Sequence, residues 1–229
     1  MKSVGIIGGL GPETTAEFYL EVIFRCQKRD DTQRPLIVIS SVPLPFEIER
    51  DLIATNTGKE RYIPFLLAEA KRLQQSGVDF LVMPCNSLHV FIGEIRDAVG
   101  IPVLSIVEET IAYVKQHNFK KVGLISTSAT VANNVYETKF NENSIAFATP
   151  DDLQRAQMDK IIQRLIEGQH LNRDREQVQA VVTDLSAQGV DSVALACTDL
   201  QLLLPSSEDV AVFDTMKVLA ESTVDAILG

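Results

Sequence analysis

The chain is poor in the residues that build metal centres and disulfide frameworks, with three cysteines and three histidines in 229 residues. No two cysteines form a CxxC pair, and His89, His117 and His170 do not cluster with cysteine or acid. No metal centre is therefore expected. No apolar run is long enough to span a membrane. The opening MKSVGIIGG has one lysine and is broken at once by glycine, so it reads as a first β-strand and not as an export signal. Without such a signal, free thiols in a reducing cytoplasm are expected, and a disulfide is disfavoured. Positive charge is also short: 21 Lys and Arg stand against 31 Asp and Glu, a formal net charge of −10. That balance argues against nucleic acid or an anionic membrane as partner.

What is present is ordinary for a globular enzyme, 45% apolar and 23% charged residues. Short runs of Val, Ile and Leu predict buried strands at Val4 to Ile7, Leu36 to Ile39, Phe80 to Met83, Val122 to Ile125, Val193 to Ala196 and Val210 to Phe213. Helical patterns lie between and after them, at Pro12 to Lys28, Gly58 to Gln75, Leu88 to Ala98, Ile106 to Gln116, Ala129 to Lys139, Asp151 to Glu167, Arg173 to Gln188 and Thr215 to Leu228. Continuous apolar strands alternating with helices predict an α/β fold of parallel sheet covered on both faces, with ligands at the carboxyl ends of the strands.

The chain also echoes itself. Gly77-Val-Asp-Phe-Leu-Val-Met-Pro-Cys-Asn-Ser-Leu88 lies on Gly189-Val-Asp-Ser-Val-Ala-Leu-Ala-Cys-Thr-Asp-Leu200, with Gly, Val, Asp, Cys and Leu identical. Val4-Gly-Ile-Ile7 lies similarly on Val122-Gly-Leu-Ile125. Any two buried strands share Val and Leu. They do not ordinarily share a cysteine in the same register, in a chain with so few. Two pseudo-symmetric lobes follow: residues 1–113 with 210–229 on the Cys85 side, and 114–209 on the Cys197 side.

Four strand-end loops carry the candidate chemistry. Gly8-Gly-Leu-Gly-Pro12 opens a helix, and Gly9 and Gly11 are placed to present backbone N–H groups to an anion. Thr14 stands where a dinucleotide fingerprint needs its third glycine, and the second strand ends in Ser40-Ser41 instead of an acid, so a small carboxylate fits better than a nucleotide. Ser126-Thr-Ser128 is the counterpart of that loop in the other lobe. Cys85-Asn-Ser87 and Cys197-Thr-Asp199 each end a strand and precede a helix-like segment, where a thiol is easier to ionise. His89, one helical turn past Cys85, could serve as a base in a Cys–His hydrolase, but that leaves Cys197 unexplained. Cys26 is mid-helix, has no echo and reads as structural. One thiol per lobe can place two acid/base groups on opposite faces of a ligand held between the lobes, as inversion of a stereocentre by proton removal and return requires. One thiol must then be ionised while the other is protonated.

At these residues the chain resembles the aspartate/glutamate racemase family, over nearly its whole length. Ile7-Gly-Gly-Leu-Gly-Pro12 resembles the family's glycine motif, Pro84-Cys-Asn-Ser87 its PCNT motif, and Ala196-Cys-Thr-Asp199 its GCTE motif. Phe213-Asp-Thr215 resembles the segment returning to the first lobe. The resemblance implies two flavodoxin-like lobes with the active site in the cleft between them, commonly a dimer, and racemisation of acidic amino acids without PLP or another cofactor. It implies Cys85 and Cys197 as the two bases, with Asn86, Ser87, Thr127 and Thr198 binding the α-carboxylate or amino group. A cation for the side-chain carboxylate is less evident. Glu47 falls near the position where some members carry Arg, which leaves Arg50 and, from the other lobe, Lys160. A hydantoin racemase, a maleate isomerase or a non-catalytic carboxylate-binding protein are the alternatives.

Overall fold

The computed structural model describes residues 1–48, 58–169, 171–203 and 210–229. It divides into two compact units, Met1–Glu109 with Met216–Gly229, and Thr110–Thr215. Among the described residues, no helix is long and apolar enough to cross a membrane.

Unit one runs β1 (Val4–Gly8), α1 (Pro12–Arg29), β2 (Ile37–Ser41), α2 (Ile63–Gln75, entered through a 3₁₀ turn at Lys59–Tyr62), β3 (Phe80–Val82), a 3₁₀ segment Ser87–Phe91, and α3 (Ile92–Ala98). Its sheet is parallel, in the order β2-β1-β3. Beyond β3 the chain returns beside it as a single parallel bridge, Leu81 to Val103. Helix α4 (Ile106–Gln116) then carries the chain into unit two. That unit runs β4 (Lys121–Ser126), α5 (Ser128–Ala132), α6 (Glu137–Glu142), β5 (Ala146–Ala148), α7 (Asp152–Ile166), α8 (Asn172–Ala187), β6 (Ser192–Ala196), a 3₁₀ segment Thr198–Leu203, and β7 (Ala211–Asp214). Its sheet is parallel, in the order β5-β4-β6-β7. Helix α9 (Thr215–Leu228) returns to unit one. The architecture is thus α/β, with two parallel sheets flanked by helices. In each unit the first strand is central, the second is an edge, and the third carries the cysteine at its end.

The repeated residues have structural jobs that the repeat explains. Asp79 accepts hydrogen bonds from the Ser3 N–H (2.6 Å) and hydroxyl (2.7 Å), just before β1. Asp191 accepts from the N–H groups of Lys120 (2.7 Å) and Lys121 (3.3 Å), at the start of β4. Each aspartate also donates its own N–H to the neighbouring chain, to Ser3 O and Lys121 O. Val78 and Val190 beside them are buried, as are Leu88 and Leu200. Gly5 and Gly123 let a helix close on the central strand. A Cβ on Gly5 would stand 2.7 Å from Leu81 Cδ2 and 3.2 Å from Leu73 Cβ of α2; one on Gly123 would stand 3.1 Å from Leu185 Cδ1 of α8.

Three expectations are corrected. The last strand does not rejoin the first lobe: β7 pairs with β6 in unit two, Leu195 opposite Asp214, and α9 alone returns. The helix expected over Ala129 to Lys139 is broken in two, because Asn134 takes a left-handed conformation (φ 50°) between α5 and α6. Edge strand β5 was not anticipated. Its three residues, Ala-Phe-Ala, are exposed or only half-buried, and two of them are alanine, which is not a strand former.

Candidate active site

The glycine loop after β1 is closed upon itself. Gly9 donates its N–H to Thr15 Oγ1 (2.9 Å), the Thr15 hydroxyl donates to Gly11 O (2.9 Å), and Gly8 O accepts the Val42 N–H (2.9 Å). Gly9 and Gly11 have φ of 79° and 84°, and a Cβ on Gly9 would fall 2.4 Å from Ser41 Oγ. Gly9 is therefore required by backbone conformation and by contact with the end of β2. Its N–H is committed to Thr15 and is not offered to an anion, which corrects the expectation. Gly11 is the N-cap of α1 and supplies no side-chain cap, and Pro12, which follows it, has no N–H to satisfy.

The Cys85 loop follows the adjacent strand. Met83, Pro84, Cys85 and Asn86 are all buried, and the Cys85 N–H turns back to Met83 O (2.9 Å). Cys85 Sγ lies 3.7 Å from the Ser87 hydroxyl. His89 is buried with both ring nitrogens engaged: the Ile106 N–H donates to Nε2 (3.1 Å), and Nδ1 contacts Cys85 O (2.6 Å). Since Nε2 must accept, the proton sits on Nδ1, which donates to the carbonyl. Burial lowers the His89 pKa to about 4, so the ring is neutral at pH 7. His89 thus latches the cysteine loop to the first turn of α4. With both nitrogens held by backbone, it does not form the base of a Cys–His pair.

In unit two, Thr127 is the N-cap of α5. Its Oγ1 accepts from the Thr130 N–H (3.2 Å) and lies 3.0 Å from the Thr130 hydroxyl. When Thr130 is the donor in the second contact, the Thr127 proton is left to donate elsewhere. Ser128 is held by Asp159 of α7 through its N–H (2.9 Å) and its hydroxyl. Lys160, next along α7, is exposed. The Cys197 loop follows β6, the neighbour of β4. Cys197, Thr198 and Asp199 are buried, and the Cys197 thiol donates to Asp199 Oδ2 (3.8 Å). The end of β6 is fastened by Thr215, whose hydroxyl donates to Leu195 O (2.9 Å). Tyr136, fully buried, bonds to Thr110 and Thr215, and its pKa is driven far up by burial.

Each unit thus brings two expected loops together at the carboxyl ends of adjacent strands: the glycine loop with Cys85 to Ser87, and Thr127 with Cys197 and Thr198. Arg50 lies outside the described residues. Glu47 is at the surface, paired with Arg61 (2.9 Å). None of the three cysteines is in a disulfide; Cys26 is fully buried, and its pKa is raised by that burial. Among the described residues, no group of three His, Cys, Asp or Glu side chains is placed to hold a metal ion. Asp199, Gln201 and Glu137 are buried polar residues for which no role was expected. Gln201 Oε1 is buried without a hydrogen-bond partner among the described residues, and the Glu137 carboxyl is buried with its pKa raised by that burial. Asp199 stands at the repeat position of Ser87, and Gln201 at that of His89, so the repeat itself was the signal for both. Glu137 has no such marker.

A chain with this doubled architecture has close known counterparts. The Asp/Glu/Hydantoin racemase family model matches residues 7–223. The broad specificity amino-acid racemase RacX of Bacillus subtilis is 31% identical, over 99% of this chain and 98% of its own length. The structure of a candidate Asp/Glu racemase from Yersinia pestis superposes with a TM-score of 0.87 at 29% identity, over the full length of both chains. The aspartate racemase of Picrophilus torridus gives 0.80 at 25% identity, covering 99% of this chain and 94% of its own. On the family match over nearly its full length, the chain belongs to the Asp/Glu/hydantoin racemase family and is an amino-acid racemase.

Proposed function

We propose that the chain interconverts the enantiomers of an amino acid, aspartate or glutamate first among them, by a two-base 1,1-proton transfer between Cys85 and Cys197, with no PLP or other cofactor. The observation that carries this reading is the equivalence of the two thiols: each ends the third strand of a repeated unit, buried, beside small polar side chains. The two-base reading requires one thiol on each face of the bound amino acid. One thiolate removes the α-proton and the other thiol returns a proton to the opposite face. Asn86, Ser87, Thr127 and Thr198, with the first turn of α1 at Gly11, would hold the α-carboxylate and stabilise the charge that develops there. Arg50 and Lys160 are the cations proposed for an acidic side chain. The breadth named for the RacX relative supports a second reading, in which less acidic amino acids are also substrates.

We further propose a cytoplasmic homodimer. Unit one exposes Leu20, Phe24, Leu36, Ile39 and Phe46, apolar surface that a second copy would cover.

The test is α-proton exchange. Each enantiomer of Asp, Glu and a panel of neutral amino acids is incubated with the enzyme in D₂O, without added cofactor, and deuterium uptake and optical inversion are followed together. The proposal expects exchange coupled to inversion. Exchange without inversion would point to a single base. Activity on neutral amino acids equal to that on Asp and Glu would favour the broader reading.

A further inference from the structure

The two thiols face different groups. Ser87 and Asp199 stand at the same place in the repeat, two residues past their cysteines. One sets a neutral hydroxyl 3.7 Å from Cys85 Sγ, and the other a carboxylate oxygen 3.8 Å from Cys197 Sγ. Burial does not separate the two sulfurs, since Cys85 is 9% exposed and Cys197 7%. A hydroxyl can turn its proton toward a thiolate. A carboxylate is an acceptor only, so it welcomes the thiol proton and opposes a second negative charge beside it.

The wider surroundings of both loops carry charge of both signs. Beside β6, which leads into Cys197, β7 brings Asp214, a second buried carboxyl. Helix α7 brings Asp159, taken up by Ser128, and the exposed Lys160; α8 brings Asp174, closed on Arg164. Against the 87–91 segment, α3 brings exposed Glu94 and Asp97, and Arg96 in a pair with Glu108, while His89 is neutral.

We propose that Asp199 is a positioning residue that keeps the proton on Cys197, so that the free enzyme rests with Cys85 as the thiolate and Cys197 as the thiol. The inference rests on the two-thiol reading above. In a turnover begun from this state, Cys85 S⁻ takes the α-proton and becomes S–H. Cys197 S–H gives its proton to the opposite face and becomes S⁻ beside Asp199. The resting form is restored when Cys85 releases one proton to solvent and Cys197 takes one back. Free enantiomers have equal energy, so kcat/KM must be the same in both directions whatever the thiols prefer. The asymmetry is therefore to be sought in the thiols themselves.

The experiment is site-resolved alkylation of the native enzyme with iodoacetamide from pH 5 to 10, read by peptide mass spectrometry. Each cysteine's rate is normalised to its own high-pH plateau, which removes differences in access. The expected midpoint for Cys85 lies below that for Cys197 by ~1–3 pH units. Asp199→Asn, and Asp199→Ser should the first variant fail to fold, lower the Cys197 midpoint by about one unit or more and leave that of Cys85 nearly in place. A Cys197 midpoint at or below that of Cys85, or one that neither variant moves, overturns the inference. The same titrations in Cys85→Ala and Cys197→Ala separate the two claims. Racemisation surviving in either variant defeats the two-thiol reading, whatever the midpoints. Two inactive variants with coincident midpoints defeat the role of Asp199 alone.

Discussion

Four residues past its cysteine, unit one has His89 and unit two has Gln201. The first is fully engaged, tying Cys85 O to the Ile106 N–H, whereas the second is buried and its Oε1 has no partner among the described residues. Two residues past the cysteine, the Ser87 hydroxyl contrasts with the Asp199 carboxyl. Below these loops the units agree: the Asp79 and Asp191 clamps, the Gly5 and Gly123 approaches, and the buried Val and Leu pairs repeat one another. The repeat therefore preserves what holds each cysteine loop on its sheet and varies what surrounds the sulfur. A two-base reaction asks for that combination, because the bases must be alike in placement and opposite in protonation.

The most severe break in the comparison is removal of either sulfur. Cys85→Ala and Cys197→Ala should each lower racemisation by at least ~10²–10⁴-fold, whereas Cys26→Ala should stay within about twofold, since a small buried thiol there serves packing. A loss confined to one of the two loops would end their equivalence.

Next in size is the difference between His89 and Gln201. His89→Ala removes two buried hydrogen bonds and should cost about 2 kcal/mol in urea unfolding at pH 7, with kcat reduced as the Cys85 loop loosens. Gln201→Leu removes a buried acceptor without a partner among the described residues, and should be neutral or stabilising by up to about 1 kcal/mol. The His89 latch also carries a pH signature. Its folded pKa, about 4, lies below the ordinary histidine value, so the unfolded chain binds the extra proton first. Stability should then fall as pH drops from about 6.5 to 4, by roughly 3 kcal/mol, and level off below that. His89→Gln should flatten that slope.

The glycine approaches give a smaller and graded contrast. Gly5→Ala and Gly123→Ala should each destabilise by ~1–3 kcal/mol. Gly5→Ala should cost more, because its added methyl meets Leu81 at 2.7 Å where that of Gly123 meets neighbours at 3.1 Å. Equal losses would mean that α2 and α8 yield differently.

Least is expected of the aspartate clamp. The Ser3 N–H and hydroxyl hold the Asp79 carboxyl below the usual carboxylate range. A carboxyl with a lowered folded pKa stabilises the fold above its unfolded value, and that contribution is lost as pH falls through the folded one. Asp79→Ala should lower Tm slightly at pH 7, and the gap to the parent should close in acid.

Much of this was readable in advance. Helices 106–116 and 215–228 were placed to the residue, and the echo located both cysteines at equivalent strand ends. Element type is written locally, in apolar periodicity and in glycine and proline positions, and a repeated register is visible without any contact being known. Other features resisted the same reading because they depend on remote partners. Val210 to Phe213 was read as a strand, but which sheet it joins depends on pairing with β6. The N–H of Gly9 looked available until Thr15, six residues on, was seen to accept it. His89 looked like a base until Ile106, seventeen residues away, occupied its second nitrogen.

By itself, then, the sequence determined that this chain is a doubled α/β unit with a thiol closing the same strand in each half, because strand, helix and register are all encoded by short-range pattern. Only the tertiary structure decided that β7 stays with unit two, that His89 is a neutral latch, and that a hydroxyl faces one sulfur and a carboxylate the other. Those outcomes follow from which segments meet across the sheet and at the helix ends, and from the burial that then sets each group's charge.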